Sequence, residues 1–244
     1  MVSLQHVALC ALVLERPVLV TSTDPHTTVK RVQKILQGWP VNSQVTPITT
    51  ANGASVFSLL DMSLENQRTL YRELRKQKYP LVLVSSPESE LDTKLETLLL
   101  FNYKDELNDL PQPSELFRFT SLEAIRKSVR QVTITTEMKT YIYDLIVEVR
   151  YSRFIKGGIP TYIIADLTDF IRFKAFILEM TFVTPAIVKT CFKIVLPLRL
   201  HLIDPEDDPS LLYGSNPTLV QQLIRAIDAN DVIDIAISNV RPPI

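Results

Sequence analysis

Glycine is the scarcest informative residue, with five in 244, or about 2% against a usual ~7%. A backbone that wraps around phosphates needs glycines clustered at one turn, and only Gly157 and Gly158 are adjacent. Two cysteines, Cys10 and Cys191, are too few for a disulfide scaffold or a cysteine-based zinc site. They fit a reducing compartment, where Cys behaves as a small buried hydrophobe. Charge of either sign is not in excess: 26 Lys and Arg stand against 27 Asp and Glu, a net of -1. That lacks the basic footprint of a dedicated polyanion binder. No apolar run reaches the ~20 residues of a membrane helix. The stretch Leu4 to Leu14 has no basic residue before it and runs straight into Glu15 and Arg16, which argues against a signal peptide. The chain is expected to be soluble and intracellular, in the nucleus or cytoplasm, with no membrane partner.

What remains is an ordinary globular composition, 46% hydrophobic and 22% charged. Gln5 to Leu14 reads as a buried helix ended by Arg16 and Pro17. Strands are expected at Val18 to Val20, Val45 to Thr50, Val56 to Leu60 and Tyr79 to Val84. They are short, apolar and without alternation, the pattern of a parallel sheet covered by helices on both faces. Between them, a helix from about Val29 to Gln37 carries Val29, Val32, Ile35 and Leu36 inward, and Ser63 caps another that runs to about Lys78. Beyond Pro111 and Pro113 the pattern turns helical throughout. Thr120 and Glu123 suggest a capping box. Glu137 to Tyr151 buries Met138, Tyr141, Ile142, Leu145, Ile146 and Val149. Thr168 to Met180 buries Phe170, Phe173 and Ile177. Thr184-Pro185 starts a helix with Val188, Cys191, Phe192 and Val195 inward. The last, after Ser215-Asn216-Pro217, has Leu219, Leu223 and Ile227 inward. The reading is an α/β core over residues 1–112 and a helical domain over 113–244.

Motifs that carry chemistry are nearly absent. A phosphate loop belongs between the first strand and its helix, because the backbone amides and the helix dipole there favour an anion. The stretch present is Ser22-Thr23-Asp24-Pro25-His26-Thr27-Thr28-Val29. Against Gly-x-x-x-x-Gly-Lys-Ser/Thr, both glycine positions are lost as Ser22 and Thr27, the lysine is Thr28 and the magnesium-ligating hydroxyl is Val29. Asp24 adds negative charge, Pro25 deletes a donor, and Lys30 comes two residues late. The third strand ends at Asp61, as a Walker B strand does, but Met62 follows where a catalytic carboxylate is needed. His6, His26 and His201 form no metal-spaced pair. His6 reads as a core residue, Glu206-Asp207-Asp208 as a solvated loop, and Lys30, Arg31, Lys34, Arg72, Arg75, Lys76 and Lys78 as solvated basic faces.

Over most of residues 5 to 202, the chain resembles AAA+ ATPases of the MoxR and magnesium-chelatase subunit type. Gln5 to Thr21 is similar to the helix and strand before the family's phosphate loop. Phe57 to Asp61, with Glu65-Asn66-Gln67, resembles its Walker B strand and following helix. Val82 to Pro87 resembles the sensor-1 strand, with Ser86 at the asparagine. Leu98-Leu99-Leu100-Phe101 resembles the arginine-finger segment, with Leu100 at the arginine. Tyr141 to Arg150 resembles the first lid helix. Gly157-Gly158-Ile159-Pro160-Thr161 resembles the sensor-2 turn, with Thr161 at the arginine. Val183 to Val188 and Leu198-Arg199-Leu200 resemble the end of the lid.

The resemblance implies an AAA+-like parallel sheet followed by an all-helical lid. Because all five functional motifs depart from the pattern, it implies a pseudo-ATPase with no catalytic, cofactor-binding or metal residues. No nucleotide is then expected, and an interaction scaffold with a protein partner is. With the finger and sensor-2 arginines missing, a monomer or partner-bound subunit is expected rather than a nucleotide-driven hexamer. A narrower resemblance, to short degenerate AAA+-like proteins of yeasts, implies a role in telomere capping. The alternatives are an atypical ATP-binding or ATP-hydrolysing protein, and a nucleic-acid-binding module, which the near-neutral charge disfavours.

Overall fold

The computed structural model describes residues 3–37, 55–60, 62–76, 81–105 and 121–243. The chain divides into two compact units, Met1–Gln131 and Val132–Ile244.

The first unit opens with α1, Leu4–Leu14. Ser3 caps it, and His6 answers: the His6 ring Nδ1 accepts from the Ser3 N–H at 3.3 Å, completing a capping box. His6 is therefore a helix-capping group rather than a core residue. Most of α1 is buried, from Val7 through Val13. It stops where Glu15 turns left-handed (φ 53°). β1 (Val18–Ser22), α2 (Pro25–Gln37), β2 (Ser55–Ser58), α3 (Leu64–Lys76), β3 (Leu81–Ser85), α4 (Thr93–Glu96) and β4 (Asn102–Asp105) follow. The strands lie in the order β2-β3-β1-β4 and every pairing is parallel. Val18 pairs with Val82 and Val20 with Val84 on one side, while Leu19 pairs with Asn102 and Val20 with Tyr103 on the other. β1 is thus central, and Val18, Leu19 and Val20 are buried as a strand covered on both faces should be.

Several expectations hold and others shift. Ser63 does cap α3, its Oγ accepting from the Asn66 N–H at 3.4 Å. α2 begins four residues before the expected Val29, at Pro25. Its buried stripe is accordingly Pro25, Thr28, Val32 and Leu36, with Val29 and Ile35 only half-buried. β4 is an unforeseen strand: Asn-Tyr-Lys-Asp has no apolar run, because it pairs on one side only in the described sheet. The expected strand at Val45 to Thr50, the prolines Pro111 and Pro113, and Thr120 lie outside the described residues. So does the expected boundary between residues 112 and 113. α5, Leu122–Gln131, is capped by Ser121, whose Oγ accepts from the Ala124 N–H at 3.2 Å. This helix was expected in the helical domain, yet it belongs to the first unit. Arg126 donates to the Leu12 carbonyl at 2.8 Å and pairs with Glu15 at 2.8 Å, placing a cation at the C-terminus of α1.

The second unit is helical: α6 (Thr136–Tyr151), α7 (Ile163–Ile177), α8 (Pro185–Val195), α9 (Pro217–Arg225) and α10 (Ala229–Asn239). The buried face of α6 is the expected one. α7 starts five residues early, and Ile177 is half-buried at its end. α8 begins at Pro185 after the Thr184 N-cap, packs on α7 and buries Val188, Cys191, Phe192 and Val195. α9 is turned from its expected orientation: Val220 and Ile224 are buried, while Leu219 and Leu223 are exposed and Ile227 is half-buried. The apolar arc of α9 is wider than the surface available to cover it, so the stripe alone could not fix which edge goes inward. A parallel α/β layer and an all-helical unit are the fold class read from the sequence.

Candidate functional site

In an open parallel sheet, ligands bind beyond the C-terminal ends of the strands. Here that edge carries Ser22 on β1, Ser85 on β3 and Asp105 on β4. Thr21 links the strands just below, its Oγ1 donating to Asn102 Oδ1 at 2.8 Å.

The β1–α2 turn shows how the chain fills the phosphate-loop position. Thr28, at the lysine position, is fully buried. Its Oγ1 lies 2.9 Å from both Ser22 Oγ and Asp105 Oδ2. Arg31, one turn further along α2, donates through Nη1 to both Asp105 oxygens, at 2.9 and 3.2 Å. The Asp105 carboxylate is completely buried beneath this guanidinium.

The helix N-terminus itself is already satisfied. Pro25 has no N–H. The Thr27 N–H donates to Asp24 Oδ1 at 3.2 Å, and the Thr27 hydroxyl to Oδ2 at 2.5 Å. The Thr28 N–H is taken by the Asp24 carbonyl at 3.1 Å. Hydrogen bonds from the Thr27 side chain and then its N–H hold the Asp24 carboxyl below the usual carboxylate range. The protein's own carboxylate therefore occupies the place where a helix N-terminus would receive an anion. At this turn Thr28 stands where the motif has its lysine, Arg31 is engaged with Asp105, and Asp24 adds an exposed negative charge beside the exposed Lys30.

The other positions singled out from sequence do not join this cluster. Met62 is half-buried, its N–H bonded to the Leu59 carbonyl at 3.2 Å. Asp61 lies outside the described residues. Ser86 closes a turn after β3, accepting from the Glu88 N–H at 3.4 Å. Leu100 is buried, and its N–H donates to the Pro17 carbonyl at 2.8 Å, before the start of β1 and so at the opposite end of the sheet from Ser22. In the second unit, Gly157 and Gly158 take φ of 76° and 72°, and Thr161 is exposed. Among the described residues, no group of three or more His, Cys, Asp or Glu could hold a metal ion. No described helix is long and apolar enough to cross a membrane.

Two groups escaped the sequence reading. One is Asp105, which was not singled out from the sequence. The second is Gln67, buried on α3, whose Nε2 donates to the Glu90 carbonyl at 2.9 Å while its Oε1 accepts from the Asp92 N–H at 2.8 Å. Arg68 completes that tie on the Asp92 carboxylate at 2.9 Å. Both depend on residues more than twenty positions away, and no local pattern signals them.

No protein-family model matches the chain. It is 35% identical over 116 residues to "Maintenance of telomere capping protein 2" of Lachancea thermotolerans, covering 46% of this chain and 41% of that protein. With the protein of the same name from Kluyveromyces lactis it shares 27% identity over 191 residues, 73% of this chain and 66% of the relative. The chain thus spans less than two thirds of either relative. Among solved structures, it resembles a candidate ATPase of Cytophaga hutchinsonii with a TM-score of 0.69 and 14% identity, covering 97% of this chain and 88% of the other. At that identity the likeness is one of fold.

Proposed function

We propose that this chain is a catalytically inactive, AAA+-like protein that serves as an interaction scaffold, with a role connected to telomere capping in the nucleus. The observation that carries the inactive reading is the Asp24 carboxylate bonded to the Thr27 N–H and hydroxyl at the start of α2. Phosphoryl transfer depends on preorganised positive charge and donors around the phosphates. At this turn Thr28 replaces the lysine and is bonded to Asp105, while Met62 replaces the carboxylate that would orient water. The telomere role and the nuclear location come from the names of the two yeast relatives. What is left for selection is a folded core with surfaces for a protein partner.

The likeness to a candidate ATPase favours the alternative, an atypical ATP-binding protein. Thermal unfolding with magnesium-ATP separates the two, since a ligand bound to the folded state raises its stability. The expected result is no shift, and ATP turnover equal to that of a blank in both the wild type and Asp61→Ala. A melting temperature that rises with magnesium-ATP, or turnover abolished by Asp61→Ala in a folded protein, overturns the inactive reading.

A further inference from the structure

The outer face of α6 arranges apolar side chains and both signs of charge in order. On the side away from its core residues, Tyr143, Val147 and Tyr151 are 51%, 43% and 83% exposed. Spaced one helical turn apart, they make a single stripe. At about 3.6 residues per turn, Lys139 and Arg150 fall along one border of that stripe. Glu137, Asp144 and Glu148 fall along the other. Thr136 and Thr140, both exposed, continue the same face toward the N-terminus of the helix. The exposed apolar residues of α9, Leu219 and Leu223, have no such flanking order.

Segregated charge discriminates among occupants. Two copies of α6 related by a two-fold axis parallel to the helix set the basic border of each on the acidic border of the other. A two-fold perpendicular to the helix makes the pair antiparallel and sets like against like. With Lys139 at position g and Asp144 at position e of a parallel coiled coil, Thr140, Tyr143 and Val147 take successive seam positions, Tyr151 lies beside the seam, and Arg150 closes its C-terminal end.

We propose that α6 is a self-association surface on which two copies of this chain pair in parallel, with Tyr143 and Val147 in the seam, Tyr151 at its edge, and Lys139 of each copy facing Asp144 of the other. A helix of about four turns gives a seam well below the size of a standard interface. The dimer is therefore weak and weakened further by salt. It needs neither nucleotide nor ring contacts, so it does not depend on the first unit being inactive.

Sedimentation velocity of the full chain, from low to high micromolar concentration, tests the proposal. The expected result is a concentration-dependent monomer–dimer equilibrium that shifts toward monomer with salt. Lys139→Glu and Asp144→Lys, each acting at two symmetric contacts, should weaken it by about tenfold. An equimolar mixture of these variants, or both changes in one chain, restores opposite charges at every contact and should recover the dimer. Both positions are exposed, and circular dichroism checks that each variant is folded. Val147→Cys gives a second readout: the native cysteines are buried, so a parallel seam yields an intermolecular disulfide under copper–phenanthroline. A monomer at every concentration, or a dimer in which the combined charge reversal does no better than the single ones, overturns the proposal.

Discussion

The two units both bury charge, but they distribute it differently. In the first, polar side chains converge: Ser22, Thr28, Arg31 and Asp105 meet at one edge of the sheet. In the second they are dispersed along irregular connections. Asp208 is held by Arg153 at 2.8 Å, and Arg199 lies 3.8 Å from Asp166 and over the Tyr162 ring at 5.6 Å. The difference follows from geometry. Parallel strands all end at the same edge, and the helix that follows each one begins there, so strand ends and helix caps are satisfied in one place. Antiparallel and crossed helices scatter their ends. A parallel sheet is thus predisposed to form a site even when, as here, the site's donors are consumed by the protein itself.

The sharpest contrast comes from removing the apolar packing that the helical unit relies on. Phe192 is fully buried on α8, which packs on α7. Phe192→Ala should cost about 4 kcal/mol through lost transfer energy and a cavity. The check is urea unfolding, with hydrogen exchange showing protection lost first in α7 and α8. Protection lost equally throughout would break the contrast.

Asp105→Ala probes the convergent network. It leaves Arg31 and Thr28 without the carboxylate they share, and should cost on the order of 2–3 kcal/mol, less than a fully buried pair because Arg31 reaches solvent. Exchange should rise at the amides of α2's first turn and of β1. A loss below that of an ordinary surface substitution would mean the cluster is incidental.

Asp208 gives the smallest effect and a pH signature. Hydrogen bonds from Ser210 and then from the Arg153 guanidinium hold its carboxyl at about 2. A folded value below the unfolded ~3.9 means that its contribution is present above pH ~4 and is lost as pH falls through about 2. Asp208→Asn should therefore be less stable than wild type at neutral pH, with the gap closing on acidification. A gap independent of pH between 5 and 2, roughly the span over which such a group titrates, would assign the loss to the Ser210 turn alone.

Part of this was legible in the sequence and part was not, for reasons visible in single residues. Val18 to Val20 forms a buried strand because a run of β-branched and apolar residues has no polar face to turn outward. The inward face of α6 could be read because its six core residues leave one continuous stripe. Leu219 and Leu223 were expected inward and are exposed, since the four aliphatic positions on α9, Leu219, Val220, Leu223 and Ile224, share an arc that only partly meets the core. β4 was missed because a strand of Asn, Tyr, Lys and Asp draws its stability from pairing with β1 rather than from its own composition. At the candidate site, the loss of the glycines and of the lysine at Thr28 was plain. Asp24 was already legible as a negative charge where a phosphate would lie, but its bonds to the Thr27 N–H and hydroxyl depended on where α2 starts.

Composition, spacing and the order of apolar segments determined on their own a parallel α/β layer, a helical unit after it, and the absence of a phosphate-loop pattern. These are properties of local chemistry and of neighbours a few residues apart. Only the tertiary structure decided that α5 docks on α1, that Leu100 stands at the far end of the sheet from Ser22, and that Thr28, Arg31 and Asp105 share one hydrogen-bonded cluster. Each of those outcomes joins residues some seventy or more positions apart, between Arg31 and Asp105 for one, and such a pairing is fixed by strand order and packing rather than by any pattern along the chain.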